Sequence, residues 1–135
     1  MVLFSASGQG MEIRMEVLRI GQDLAILLSG GDVPHIGTVT SWSADEQKLT
    51  SLQFPSHSGR YHKDHILAET LVEIIKSDVT GNIVITSGVH VNGIRPEQIR
   101  ESFRLTEQLG IEMKEWLYSN PVTFQEPIYK KSSSQ

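Results

Sequence analysis

From residue 12 apolar and polar side chains alternate: Ile13, Met15 and Val17 share one parity, while Glu12, Arg14 and Glu16 share the other. A period of two predicts a strand over residues 12–20 with one buried and one wet face. Gly21-Gln22 reads as a tight turn. Residues 23–29 follow with the run Leu24-Ala25-Ile26-Leu27-Leu28, as expected of a more central strand, and Ser29-Gly30-Gly31-Asp32 marks its end. Two more strands are expected. One spans residues 36–42, where Thr38, Val39 and Thr40 suit a pleated surface, and the other spans 49–54 beyond the turn Ala44-Asp45-Glu46-Gln47. Residues 1–11, small and with Gly8 and Gly10 flanking Gln9, read as a mobile N-terminal arm.

After a polar loop over residues 55–63 the period changes. Ile66, Leu67, Thr70, Leu71, Ile74 and Ile75 form the doublets of an amphipathic helix starting near Asp64 and ending by Gly81. Ile83-Val84-Ile85 predicts a fifth strand over residues 82–86, running into a loop over 87–93. Pro96 suits a first helical position. Behind it Ile99, Phe103, Thr106, Met113 and Leu117 make a core-facing stripe, with Leu105, Leu109 and Trp116 beside it. The stripe keeps its phase across Gly110, so one helix is expected there, closed by Pro121. Residues 119–135 read as a polar, frayed tail.

Four strands, a helix, a strand and a helix, with short turns between the strands, imply an α+β domain over residues 12–118 built on an antiparallel four-strand meander. The chain has 135 residues, of which 39% are hydrophobic and 21% charged, enough for one sizeable core. Its net charge of −4 gives no field for holding nucleic acid. Without cysteine there are no disulfides, thiolate metal sites or thiol nucleophiles. No leader or membrane span is recognisable, which predicts a cytoplasmic protein.

Three loops carry the unusual residues. In Gly30-Gly31-Asp32-Val33-Pro34-His35-Ile36-Gly37 the paired glycines allow positive φ and close approach of a ligand, while Asp32 and His35 add an acceptor and a titratable nitrogen. A plain glycine turn with an Asx bond from Asp32 would use the same residues. The second loop, His57-Ser58-Gly59-Arg60-Tyr61-His62-Lys63-Asp64-His65, directly precedes a helix, whose N-terminus attracts anions. Arg60 and Lys63 would sharpen that attraction for a phosphate. Asp64 could equally be a simple N-cap. His62 and His65 stand at a spacing seen in zinc sites, a weak signature alone. The third loop, Ser87-Gly88-Val89-His90-Val91-Asn92-Gly93, alternates His90 and Asn92 with valines, so both polar groups could share a side; an Asn92-Gly93 turn is the plainer alternative. Convergence of the loops would join His35, His62 and His90 with Asp32 and Asp64 in one polar pocket, a donor set that also suits a divalent metal. Enzyme templates are absent: there is no P-loop, no GxSxG elbow and no ordered triad. The residues therefore favour a ligand-binding or accessory protein over an enzyme.

At Gly30 to Gly37, Tyr61-His62-Lys63-Asp64 and Gly88-Val89-His90-Val91-Asn92 the chain resembles the prenylated-flavin chaperone family, the LpdD-like D-type accessory subunits of gallate decarboxylase. The likeness runs from about Glu12 to Leu117. That family is related in fold to proteasome assembly chaperones, and such domains commonly pair as dimers through sheets or helices. The resemblance implies binding of prenylated flavin mononucleotide and its maturation or delivery to a partner decarboxylase acting on aromatic acids. Carried onto this chain, the implied contacts are Gly31, Asp32, His35, His62, Lys63, Asp64 and His90. Arg60 and Asn92 join them from the residue reading, and His35, His62 and His90 are the candidate metal ligands. Where the family pattern has an acidic residue after His90, Asn92-Gly93 follows here, which counts against a metal ligand in the third loop. Two other readings stand beside this one: a protein-assembly chaperone with no small ligand, and a small metal-dependent protein built on the three histidines.

Overall fold

The computed structural model describes residues 1–56 and 64–131. Six strands form one sheet: β1 (Val2–Gly8), β2 (Met11–Ile20), β3 (Asp23–Gly31), β4 (Thr38–Ser43), β5 (Lys48–Gln53) and β6 (Ile83–His90). Two helices, α1 (His65–Ile75) and α2 (Pro96–Ser119), complete the mixed α+β fold, with a short 3-10 turn (Lys76–Asp78) after α1. Both pack on one face of the sheet, α2 over β1 and β2, α1 over β4, β5 and β6. One apolar cluster fills the space between, from Ile13, Met15, Ile26 and Ile85 on the strands to Leu71, Ile75, Leu105 and Met113 on the helices. No described helix is long and apolar enough to cross a membrane.

The strand order is β1-β2-β3-β6-β4-β5, with β3 and β6 parallel and the remaining pairs antiparallel. The expected four-strand meander is thus interrupted. After β3 the chain skips one strand position, and β6 later fills it. What carries the chain across is the loop 32–37, which lies along the end of β6. Asp32 and Val33 donate to the His90 carbonyl at 2.7 and 3.2 Å, His35 N–H to that of Gly88 at 3.4 Å, and Gly37 N–H to that of Ser87 at 2.9 Å.

The N-terminal residues are not a mobile arm but the edge strand β1. Val2, Phe4 and Ala6 pair with Val17, Met15 and Ile13 and face the helices; Phe4 meets Trp116 edge-on, ring centroids 6.3 Å apart. Apolar Leu3 and the small serines on the other parity hide this alternation in the sequence. Gln9 and Gly10, both at positive φ (50° and 75°), make the hairpin turn into β2. The hairpin is tied to α2 by Gln98, whose Nε2 donates to the Gln9 carbonyl at 3.0 Å while its Oε1 accepts the Arg95 N–H at the helix start.

The long helix is continuous across Gly110, as its phase implies. A Cβ there would lie 2.9 Å from Ile74 Cδ1, so the missing side chain lets α1 and α2 approach. Two details of phase differ from expectation. The buried stripe of α2 centres on Leu105, Leu109, Met113 and Leu117, leaving Ile99 exposed, and that of α1 on Leu67, Ala68, Leu71, Val72 and Ile75, leaving Ile66 exposed. Beyond α2 residues 121–131 have no regular secondary structure.

Candidate functional site

Because β3 and β6 run parallel, their C-terminal ends, Gly31 and His90, lie side by side. In open sheets with parallel strands, that end, together with the helix N-termini beside it, is where ligands are bound. The N-termini of α1 and α2 both border this end: Asp64 just before α1 reaches β6, and α2 follows β6 by a short connection. The first and third loops therefore meet, and Asp64 of the second joins them.

The meeting is bonded. Asp32 Oδ2 accepts the Asn92 N–H at 2.8 Å, so its carboxylate ties the two strand ends and makes no local Asx bond. His90 Nε2 donates to Asn92 Oδ1 at 3.0 Å, which puts both polar groups on one side, and Gly93 at φ +59° turns the chain toward α2. His90 itself is the last residue of β6, since the strand continues four residues past the expected end. His35 Nδ1 donates to the Val33 carbonyl at 2.9 Å, and its Nε2 lies 3.7 Å from Asp64 Oδ2. Asp64 occupies the N-cap position but makes no side-chain cap. Its Oδ1 accepts the Val89 N–H at 3.1 Å instead, so one carboxylate spans β6, the loop 32–37 and the start of α1.

Two glycines make this closeness possible. At Gly31, with φ +78°, a Cβ would lie 2.2 Å from the His90 carbonyl oxygen. At Gly88 a Cβ would lie 1.8 Å from the His35 carbonyl oxygen. What approaches Gly31 is thus a neighbouring strand end. Gly88 was missed as a site residue, although a glycine two residues before His90, in the segment that follows the expected strand, was the available signal.

His65 is engaged elsewhere, its Nδ1 accepting from Gln53 Nε2 at 2.8 Å. Arg60, His62 and Lys63 lie outside the described residues, so that of the candidate metal ligands His35, His62 and His90 only the first and last are described. Among the described residues no three of His, Asp and Glu are grouped so as to hold a metal ion.

Two cavities adjoin the network. A shallow one of about 240 Å³ on the open face of the sheet is bounded by Glu16, Leu27, Pro34, His35, Ile36 and Thr86. A notch of about 430 Å³ lies on the helix side, where Asp64 and Val89 meet Ile94, Ile99 and Phe103. A third, of about 370 Å³, lies at the other end of β3 between Arg19, Leu24 and Leu117 and touches none of the three loops.

A family model described as the prenylated flavin chaperone LpdD-like domain matches residues 7–118, and so spans the whole network. The chain belongs to this family. It is 36% identical to Protein LpdD of Lactiplantibacillus plantarum over 135 residues, which is 100% of this chain and 98% of that protein. In this LpdD-like chain, the motif residues Gly31, Asp32, His35, Asp64, Gly88, His90 and Asn92 are therefore the ones that the fold draws to one end of the sheet.

Proposed function

We propose that this protein is a non-catalytic accessory chaperone that binds prenylated flavin mononucleotide at the joined ends of β3 and β6. It aids the cofactor's maturation or hands it to a partner decarboxylase acting on aromatic acids. The observation that carries this reading is the bonded network of Asp32, His35, Asp64, His90 and Asn92 between two helix N-termini, in a chain of the prenylated flavin chaperone family. The cofactor supplies the reactive centre for the decarboxylase; this chain holds and shields it. The phosphate goes to the start of α1, where N–H groups and the helix dipole favour an anion and where Arg60 and Lys63 stand just before the helix in sequence. In this reading the imidazoles of His35 and His90 hydrogen-bond the polar edge of the ring system.

Titrating prenylated flavin mononucleotide into the purified protein should perturb the cofactor's absorbance and saturate at micromolar concentration or below. His35→Ala and Lys63→Ala should each weaken binding by about tenfold, the worth of one charge-assisted hydrogen bond. Absence of binding at micromolar concentration would remove the reading.

The open face of the sheet supports a homodimer. One row crosses all six strands as Leu3, Glu16, Leu27, Thr86, Val39 and Leu52, and Leu3, Leu27 and Leu52 are exposed. Exposed leucines set among polar residues across an uncovered sheet face are what a twofold, self-complementary contact can cover. Light scattering should give twice the chain mass, and Leu27→Arg, charging the middle of the row, should give a monomer of unchanged circular dichroism. A monomeric unsubstituted protein would refute the pairing.

A further inference from the structure

Three isoleucines lie half exposed around the helix-side notch: Ile66 at 44%, Ile94 at 44% and Ile99 at 46%. Ile66 and Ile99 carry the apolar period of their helices, yet both are turned out of the core, and both turn toward the same place. Behind them Val89 and the partly buried Phe103 line the notch. Its polar groups offer little to a polar ligand: the Ser102 hydroxyl donates to the Ile99 carbonyl at 2.6 Å, and the Asp64 carboxylate is occupied with the Val89 N–H and faces His35. A hydrocarbon group is the natural occupant of such a lining.

Asp64 belongs both to this notch and to the network that reads the polar parts of the cofactor. A ligand seated against His35 and Asp64 would meet apolar walls on the helix side. Prenylation adds to a flavin a compact group of hydrocarbon and leaves its phosphate and its polar ring edge in place. We infer that the notch formed by Ile66, Val89, Ile94, Ile99 and Phe103 takes this added hydrocarbon and is what separates prenylated from plain flavin mononucleotide. This inference rests on the cofactor-binding function proposed above and names the residues that set its specificity.

Each methylene removed from water favours binding by about fourfold. A five-carbon group partly enclosed by the notch should therefore favour the prenylated over the plain cofactor by at least tenfold. The test is a parallel titration of both cofactors into the unsubstituted protein, Ile99→Ser and Ile94→Ser; both side chains are half exposed, so the fold should tolerate the changes. The expected result is a loss of about tenfold toward prenylated flavin mononucleotide for each variant, with binding of plain flavin mononucleotide held within about twofold. Equal losses for the two cofactors would place the flavin ring itself in the notch, and no loss for either would leave the notch empty of ligand; each overturns the inference. If the unsubstituted protein binds both cofactors equally well, specificity is refuted while cofactor binding stands. If it binds neither, the function falls and the notch with it.

Discussion

Gly88→Ala should lower the free energy of unfolding by about 3–4 kcal/mol and the thermal midpoint by roughly 10 °C. The added Cβ would lie 1.8 Å from the His35 carbonyl oxygen and 2.4 Å from its carbon. Both are backbone atoms, so no rotamer change can relieve the overlap. The loop 32–37 has to lift from β6, and lifting it breaks the main-chain bonds from His35 to Gly88 and from Gly37 to Ser87, each worth about 0.5–1.5 kcal/mol. The same motion separates His35 from Asp64 and should abolish binding of the cofactor even in the folded fraction. Calorimetry of the two proteins measures the stability, and titration below the midpoint measures the binding. A midpoint within about 2 °C of the unsubstituted protein would mean that the loop does not press on β6 as described.

Most of the elements were legible because burial on one face imprints a period on the sequence. In β2 and β3, Ile13, Met15, Val17, Ile26 and Leu28 announce their strands directly, and Pro96 and the stripe through Met113 announce α2. β1 was illegible for a specific reason: its outward parity holds Leu3, Ser5 and Ser7, none of them charged, so the alternation with Val2, Phe4 and Ala6 has no contrast. The order of strands lies beyond periodicity altogether. Short turns made a meander the simplest path, whereas the loop 32–37, bonded along β6 through the N–H groups of Asp32, Val33, His35 and Gly37, carries β4 to the far side of a strand not yet reached in sequence.

The site divides in the same way. Asp32, His35, His90 and Asn92 were visible as polar residues among glycines, and the fold does gather them. The work of the glycines was visible only in part, because a sequence records that a Cβ is missing and not what fills its place; here two carbonyls do. Ile66 and Ile99 were assigned to the core for a related reason. A helical period identifies an apolar stripe to within about a residue, and a residue at the border of the stripe can line a surface notch as well as the core. The displaced isoleucines thus became informative only once the helices were in place.

Asp64 provides the second large effect, and two substitutions separate its two bonds. Asp64→Ala removes the acceptor from the partly buried Val89 N–H and the carboxylate from beside His35. It should cost about 2–3 kcal/mol of stability, since an unpaired buried N–H bears its full desolvation penalty. Cofactor affinity should fall about 100-fold, because β6, the loop 32–37 and the start of α1 lose their common tie. Asp64→Asn keeps an oxygen for Val89 and gives up only the charge. Its stability should return to within about 1 kcal/mol of the unsubstituted protein, while affinity recovers partway, to a deficit of about tenfold, since an uncharged amide holds His35 less firmly. Chemical denaturation and cofactor titration on the same two variants read these quantities independently. Equal loss of stability in both would mean that the Val89 bond is not what Asp64 contributes. Full affinity in Asp64→Asn would mean that the carboxylate charge has no part in holding His35 against the cofactor.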